Sequence, residues 1–206
     1  MLRVVFFLMA CAEASVALSQ TDTGYSRQCS AIREVVYLFT QQQIPELLDT
    51  KLKSSNGYQT NGVWTFNHER YSTRLPWADA QTTEVEHATD YRDTLQTDSW
   101  QYIANFAPQT DLVNANRQFR QVLQQINGCT LPIADSVPMV LQPVDPAGLP
   151  PNKPDNLVDA FLFELPPVPR TAWQLSLMIG LEKMRNGYRT VLMVEWLEEL
   201  RKAAGK

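Results

Sequence analysis

Residues 173–182 read Trp-Gln-Leu-Ser-Leu-Met-Ile-Gly-Leu-Glu, and every second side chain is large and apolar. Successive side chains of a strand point to opposite faces, so a period of two marks a strand with one buried face. Asn186-Gly187 follows, a dipeptide suited to a two-residue hairpin turn. Folding there sets Leu181 against Leu192, Ile179 against Val194 and Leu177 against Trp196. Each pair puts apolar against apolar, and a slip of one residue would turn the whole set toward water. A chain with this hairpin has to build an antiparallel sheet and supply a cover for its apolar face. The tail Glu-Trp-Leu-Glu-Glu-Leu-Arg-Lys-Ala-Ala-Gly has helical propensity and is expected to end the second strand early.

Two helical segments can supply that cover. In 110–129, Leu112, Ala115, Phe119, Val122, Leu123 and Ile126 recur at spacings of three and four, an apolar stripe along one helix face. Thr110 is the expected N-cap, Asp111 suits the first turn, and Gly128 stands where a helix takes a left-handed final residue. Upstream, Ile32, Val35, Val36 and Phe39 share one face of a helix that begins after Cys29 and is interrupted near Pro45. The run Ile-Pro-Glu-Leu-Leu-Asp-Thr-Lys-Leu-Lys-Ser-Ser reads as a second short helical piece ending at Asn56-Gly57. Aromatic and β-branched residues make 62–75, 80–89 and 98–107 strands, with Leu75-Pro76-Trp77 turning the first into the second.

Cysteine placement links the two helices, and its meaning depends on the opening of the chain. Arg3, an apolar run from Val4 to Ala12 and the mostly small residues Ala14 to Ser19 have the layout of a secretory signal. The apolar run is too short to span a bilayer. Cleavage after Ser19 would leave Gln20 first. Two other readings stay open: Leu8-Met9-Ala10-Cys11 as a lipidation site with Cys11 acylated, and Val4–Met9 as a first core strand. Losing residues 1–19 removes Cys11 and leaves Cys29 and Cys129, an even pair that reads as a disulfide in an exported chain. The closed loop would contribute up to about 4.7 kcal/mol in the chain-entropy model. Such a bond pins the start of one helix to the end of the other, so the two should lie antiparallel.

Ten of the thirteen prolines fall between Pro132 and Pro169. Residues 130–158 are therefore expected to be an extended connector, after which the last strands return to the same sheet. The domain reading is a signal over 1–19 and one α+β domain over 20–206: two antiparallel helices on a mostly antiparallel sheet, with a long proline-rich excursion.

The run of features from Cys29 through Leu75-Pro76, Trp100 with Tyr102, and Phe119 to Cys129 resembles small secreted bacterial proteins of unknown function. Their pattern is a cysteine opening a helix, a Leu-Pro-Gly turn, an aromatic strand and a helix closing on a second cysteine. Trp77 stands where that pattern has glycine. The resemblance covers about 29–130 and implies an α+β fold without implying an activity.

A formal net charge of −4 without a basic run excludes nucleic acid as a natural partner. No second apolar run has membrane-spanning length. No phosphate-cradling loop, nucleophile elbow, His-Glu-x-x-His or Cys-x-x-Cys occurs, so neither cofactor nor metal nor catalytic group is assigned. His68 and His87 would be cross-strand neighbours if the strands pair with those residues opposed, which is two ligands and a poor zinc site. Glu84, Glu86, Asp90, Asp93 and Asp98 read as a solvated strand face more readily than as a calcium loop. The binding candidates are aromatic: Tyr71, Trp77, Trp100 and Tyr102, with Trp77 the expected exposed anchor of the Leu75–Asp79 turn. The function so reached is an exported, non-enzymatic module binding an envelope or extracellular protein. The alternative is an envelope-acting hydrolase using paired carboxylates such as Glu69 and Asp79.

If the opening is a cleaved signal, N-terminal sequencing of natively expressed protein should begin at or near Gln20. An intact Met1, or a lipid on Cys11, would refute cleavage.

Overall fold

A computed structural model describes residues 22–59, 64–92, 95–131, 139–141, 156–165 and 173–201. The expected signal with Cys11 and the Ser19–Gln20 boundary lie outside these residues, as do most of the proline-rich excursion and Asp93. The described chain is α+β. Helices α1 (Asp22–Thr40) and α2 (Leu112–Ile126) accompany strands β1 (Leu48–Gln59), β2 (Trp64–Thr73), β3 (Thr82–Arg92), β4 (Leu95–Asn105), β7 (Leu157–Glu164), β8 (Trp173–Met184) and β9 (Gly187–Arg201) in one sheet. Its order is β1-β2-β3-β4-β9-β8-β7, antiparallel at every junction. A two-strand ladder of β5 (Thr130–Leu131) and β6 (Met139–Val140) stands apart.

One buried cluster draws on both helices and on the strands. Ile32, Val35, Val36 and Phe39 of α1 join Ala115, Phe119, Val122 and Ile126 of α2 in a single buried cluster. Tyr102, Ala104, Leu177, Ile179, Leu192 and Val194 complete it. The Phe119 and Phe161 rings lie 5.7 Å apart, joining α2 to β7. Cys29 and Cys129 sit at bonding distance with their Cα atoms 5.3 Å apart. Cys29 lies within α1 instead of ahead of it, because the helix already begins at Asp22. Asp111, not Thr110, caps α2, its side chain accepting the Asn114 N–H at 2.9 Å. Gly128 takes the left-handed conformation expected at the stop, with φ 84°. Leu112, in the first turn, is exposed.

Three sequence expectations give way to tertiary constraints. The segment after Pro45 is a short 3-10 turn (Ile44–Leu47) followed by β1, because the open edge of β2 offers a ladder of hydrogen-bonding groups and Leu48–Gln59 satisfies it. Asn56-Gly57 lies inside that strand, and a Cβ at Gly57 would stand 2.4 Å from the Phe66 ring. The C-terminal hairpin keeps its face parity but turns at Arg185-Asn186, which shifts the register by two. Ile179 opposes Leu192, Leu177 opposes Val194, Leu175 opposes Trp196, and Leu181 opposes Thr190. Gly187 is needed for a different reason than a turn. With φ 140°, it lets the backbone of Gln109 approach so closely that a Cβ would meet its carbonyl oxygen at 2.2 Å. Gln109 and Tyr188 then exchange two backbone hydrogen bonds of 2.8 Å. Finally, β9 runs to Arg201 despite its helical propensity, because β4 and β8 flank it on both sides.

The Leu75–Asp79 turn exposes Pro76, Ala78 and Asp79 but not its tryptophan. Trp77 is only 2 % exposed and belongs to the core. The Tyr102 hydroxyl donates to the Leu75 carbonyl at 2.9 Å, and the Trp77 N–H donates to Thr83 Oγ1 at 3.1 Å. The Asp79 carboxylate accepts from Gln28 of α1 at 3.3 Å and Gln125 of α2 at 3.2 Å. Ties to both helices fix the turn at the surface with its tryptophan ring directed into the core.

Trp77→Ala should therefore cost about 3–5 kcal/mol and Ile179→Ala about 2–5 kcal/mol by cavity formation. Met178, half-buried on the opposite face, should cost less when truncated. Urea denaturation of the three variants checks this, and a Trp77→Ala protein as stable as the parent would contradict the buried position.

Candidate functional site

The apolar face of the sheet changes character along its strands. The row Tyr71, Val85, Tyr102, Val194, Leu177 is mostly buried, and Val85, Tyr102, Val194 and Leu177 are all inaccessible. The next row on the same face is Glu69, His87, Trp100, Trp196 and Leu175. After it come Asn67, Thr89, Asp98 and Glu198. Within two rows the surface passes from hydrocarbon to a mixed aromatic and acidic platform on β2, β3, β4 and β9.

Local pairing fixes each member. The imidazole of His87 lies flat on the Trp100 indole, centroids 3.9 Å apart and planes 9° from parallel. His87 Nε2 stands 2.7 Å from Asp98 Oδ1, which also accepts the Thr89 hydroxyl at 3.0 Å. Glu69, registered opposite His87, takes Lys51 on one oxygen and the Tyr71 hydroxyl on the other. The Lys51 ammonium also lies 5.9 Å from the Tyr71 ring centre. Lys51 and then Tyr71 hold the Glu69 carboxyl below the usual range, while the same bond to Glu69 raises the Tyr71 phenol. His87 and Asp98 keep 20 % and 24 % of their side-chain surface, so the platform is partly open to solvent.

Beside it, the 3-10 turn forms the wall of a groove lined by Gln42, Ile44, Pro45, Trp100, Trp196 and Glu198. Gln42 ends α1 in the left-handed region, φ 56°, within a closing turn where the Gln43 N–H reaches the Leu38 carbonyl at 2.8 Å. Glycine is the favoured residue at such a position, and a side chain there costs roughly 1 kcal/mol.

The sequence candidates divide across this map. Tyr71 and Trp100 come together on the platform. Trp77 and Tyr102 go to the core, where burial pushes the Tyr102 phenol far above its ordinary range. The histidines are not neighbours: His68 opposes Ala88 and His87 opposes Glu69, a one-residue difference that sends the rings to opposite faces. His68 instead meets Glu86 at 3.0 Å, and Arg70 ion-pairs with Glu84 and Glu86. Those acids of the string are thus held by basic neighbours. Among the described residues no group of three or more His, Cys, Asp or Glu converges on a metal position, and no helix is long and apolar enough to cross a membrane.

The hydrolase carboxylates are apart in environment as well as in sequence. Asp79 lines a small cavity with Phe106, Gln118, Gln121, Val122 and Gln125, and Glu69 is not part of that lining. Lys51 and then Tyr71 shift the pKa of the Glu69 carboxyl downward, opposite to the upward shift a general acid needs. Trp196, read only as the strand partner of Leu177, and Glu198, in the tail expected to end the strand early, were not nominated as site residues; the β4–β9 register sets Trp196 opposite Trp100 and Glu198 opposite Asp98. Compared with protein-family models, curated proteins and solved structures, the chain finds no match in any of the three.

If Gln42 is held in its strained conformation by the fold alone, Gln42→Gly should raise stability by about 1 kcal/mol, measured by urea denaturation. An unchanged or lower stability would show that the Gln42 side chain itself supports the fold.

Proposed function

We propose that this chain is an exported, non-enzymatic binding module whose partner is a protein of the envelope or the extracellular space. Its two helices lie antiparallel over one face of the sheet, and the partner is received on the part of that face they leave open. The reading rests on one observation: the half-exposed row Glu69, His87, Trp100, where a sheet face otherwise apolar carries fixed aromatic and ionised groups. Rigid aromatic side chains give large contact area at little cost in conformational freedom, which is why tryptophan and tyrosine anchor interfaces. The His87–Asp98 bond, the Thr89–Asp98 bond and the Glu69–Tyr71 bond hold these groups in place before any partner arrives. Export is supported by the signal-like opening, the paired cysteines and the likeness of 29–130 to small secreted bacterial proteins.

Trp100→Ala should weaken binding of a partner isolated from the envelope or culture fluid by about tenfold or more, as expected of an interface anchor. His68→Ala, on the opposite face, should leave it intact. Melting curves of both variants separate lost binding from lost folding. Equal effects from Trp100 and His68, at matched stability, would sink the assignment of this face.

A further inference from the structure

We infer that the groove between the 3-10 turn and strands β4 and β9 receives a cationic side chain, arginine or lysine, from the partner; this rests on the binding-module reading above. Two indoles, Trp100 and Trp196, an aliphatic wall of Ile44 and Pro45, and the carboxylate of Glu198 line it. Aromatic rings attract cations through the negative charge of their π-faces, and apolar walls accept the methylene stem of a long basic side chain. A carboxylate at the end of such a slot completes recognition with charge-assisted hydrogen bonds.

The charge pattern points the same way. Glu198 lies directly opposite Asp98 across the β4–β9 pair. Like charges so placed repel, and a cation between or beside them relieves the repulsion. Asp98 is engaged through one oxygen by His87 and Thr89. The Glu198 carboxylate has no ion-pair partner among the described residues. Lys51, the described cation on this face nearest Glu69 in the network, is committed to that residue. The paired carboxylates of Asp98 and Glu198 disfavour an anionic or phosphate-bearing ligand here.

Gln42 supplies an independent mark. A residue kept in the left-handed region, where glycine fits better, places an amide side chain on the groove lining. The helix stop accounts for the left-handed backbone but not for the choice of glutamine over glycine, which leaves the side chain available to the groove. Its carbonyl adds a neutral acceptor suited to a guanidinium or ammonium donor.

The test uses the full chain and two short peptides with blocked ends, Ala-Ala-Arg-Ala-Ala and the same peptide with neutral citrulline in place of arginine. NMR titration should shift the indole N–H signals of Trp100 and Trp196 with the arginine peptide and leave them unmoved with citrulline. Glu198→Gln, nearly isosteric, should weaken the arginine peptide about tenfold, and added salt should weaken it further. Glu34→Gln, on the exposed side of α1, should change nothing. Equal binding of both peptides, no indole shift with arginine, or a Glu198→Gln loss no larger than that of Glu34→Gln would overturn the inference. Capture of the isolated partner separates the two levels. Dependence on Trp100 without dependence on Glu198 keeps the binding module and removes the cation pocket, whereas indifference to Trp100→Ala removes the binding face itself.

Discussion

The pairing of β4 with β9 holds the molecule together. β4 closes the meander that begins at β1, and β9 closes the hairpin that begins at β8, so each would otherwise present an unpaired edge. Their register runs from Leu95 opposite Arg201 to Asn105 opposite Val191 and welds two partial sheets into one. The same pairing aligns Tyr102 with Val194 and Ala104 with Leu192, and these residues meet the stripes of both helices in one buried cluster. The Cys29–Cys129 link acts on the cover in the same way that β4–β9 acts on the sheet, restricting how far the helical segments can part in the unfolded chain.

Much of the frame was legible because local periodicity and tertiary need coincide there. The stripe Ala115, Phe119, Val122, Ile126 reads as a buried helix face and is one, and the alternation of Leu175, Leu177, Ile179 and Leu181 gives the correct face. Legibility fails where a segment's state depends on a distant partner. Leu48–Gln59 has no strand pattern of its own and is a strand because β2 offers an edge. Gly187 signals a turn, yet its absent side chain serves Gln109, a residue far upstream, and the register moves by two. Trp77 reads as a solvent-facing turn residue, yet with Asp79 tied to both helices its ring packs into the core while its neighbours stay exposed.

The same rule explains the candidate site. Tyr71 and Trp100 could be nominated from composition, but the platform depends on which residues stand opposite one another. A one-residue change in the β2–β3 register separates His68 from His87, giving one to a charged outer face and the other to the indole of Trp100. Glu198 and Trp196 gain their setting only from β4. The transition from hydrocarbon to fixed polar groups within two rows means that one sheet face carries both the core and the proposed recognition surface. Rigidity of the first is thereby lent to the second.

The central place of β9 also sets the order of events in the life of the chain. Among the described strands it is the last to be synthesised, yet it fills the middle of the sheet between β4 and β8. Until it has left the ribosome, the meander lacks its partner and the buried cluster lacks Leu192 and Val194. Pairings so distant in sequence form slowly, because chain entropy has to be lost before contacts compensate for it. A polypeptide laid out this way resists premature folding while it is still being made. If the chain is exported as proposed, that delay would keep it unfolded for passage, with the sheet closing on the far side.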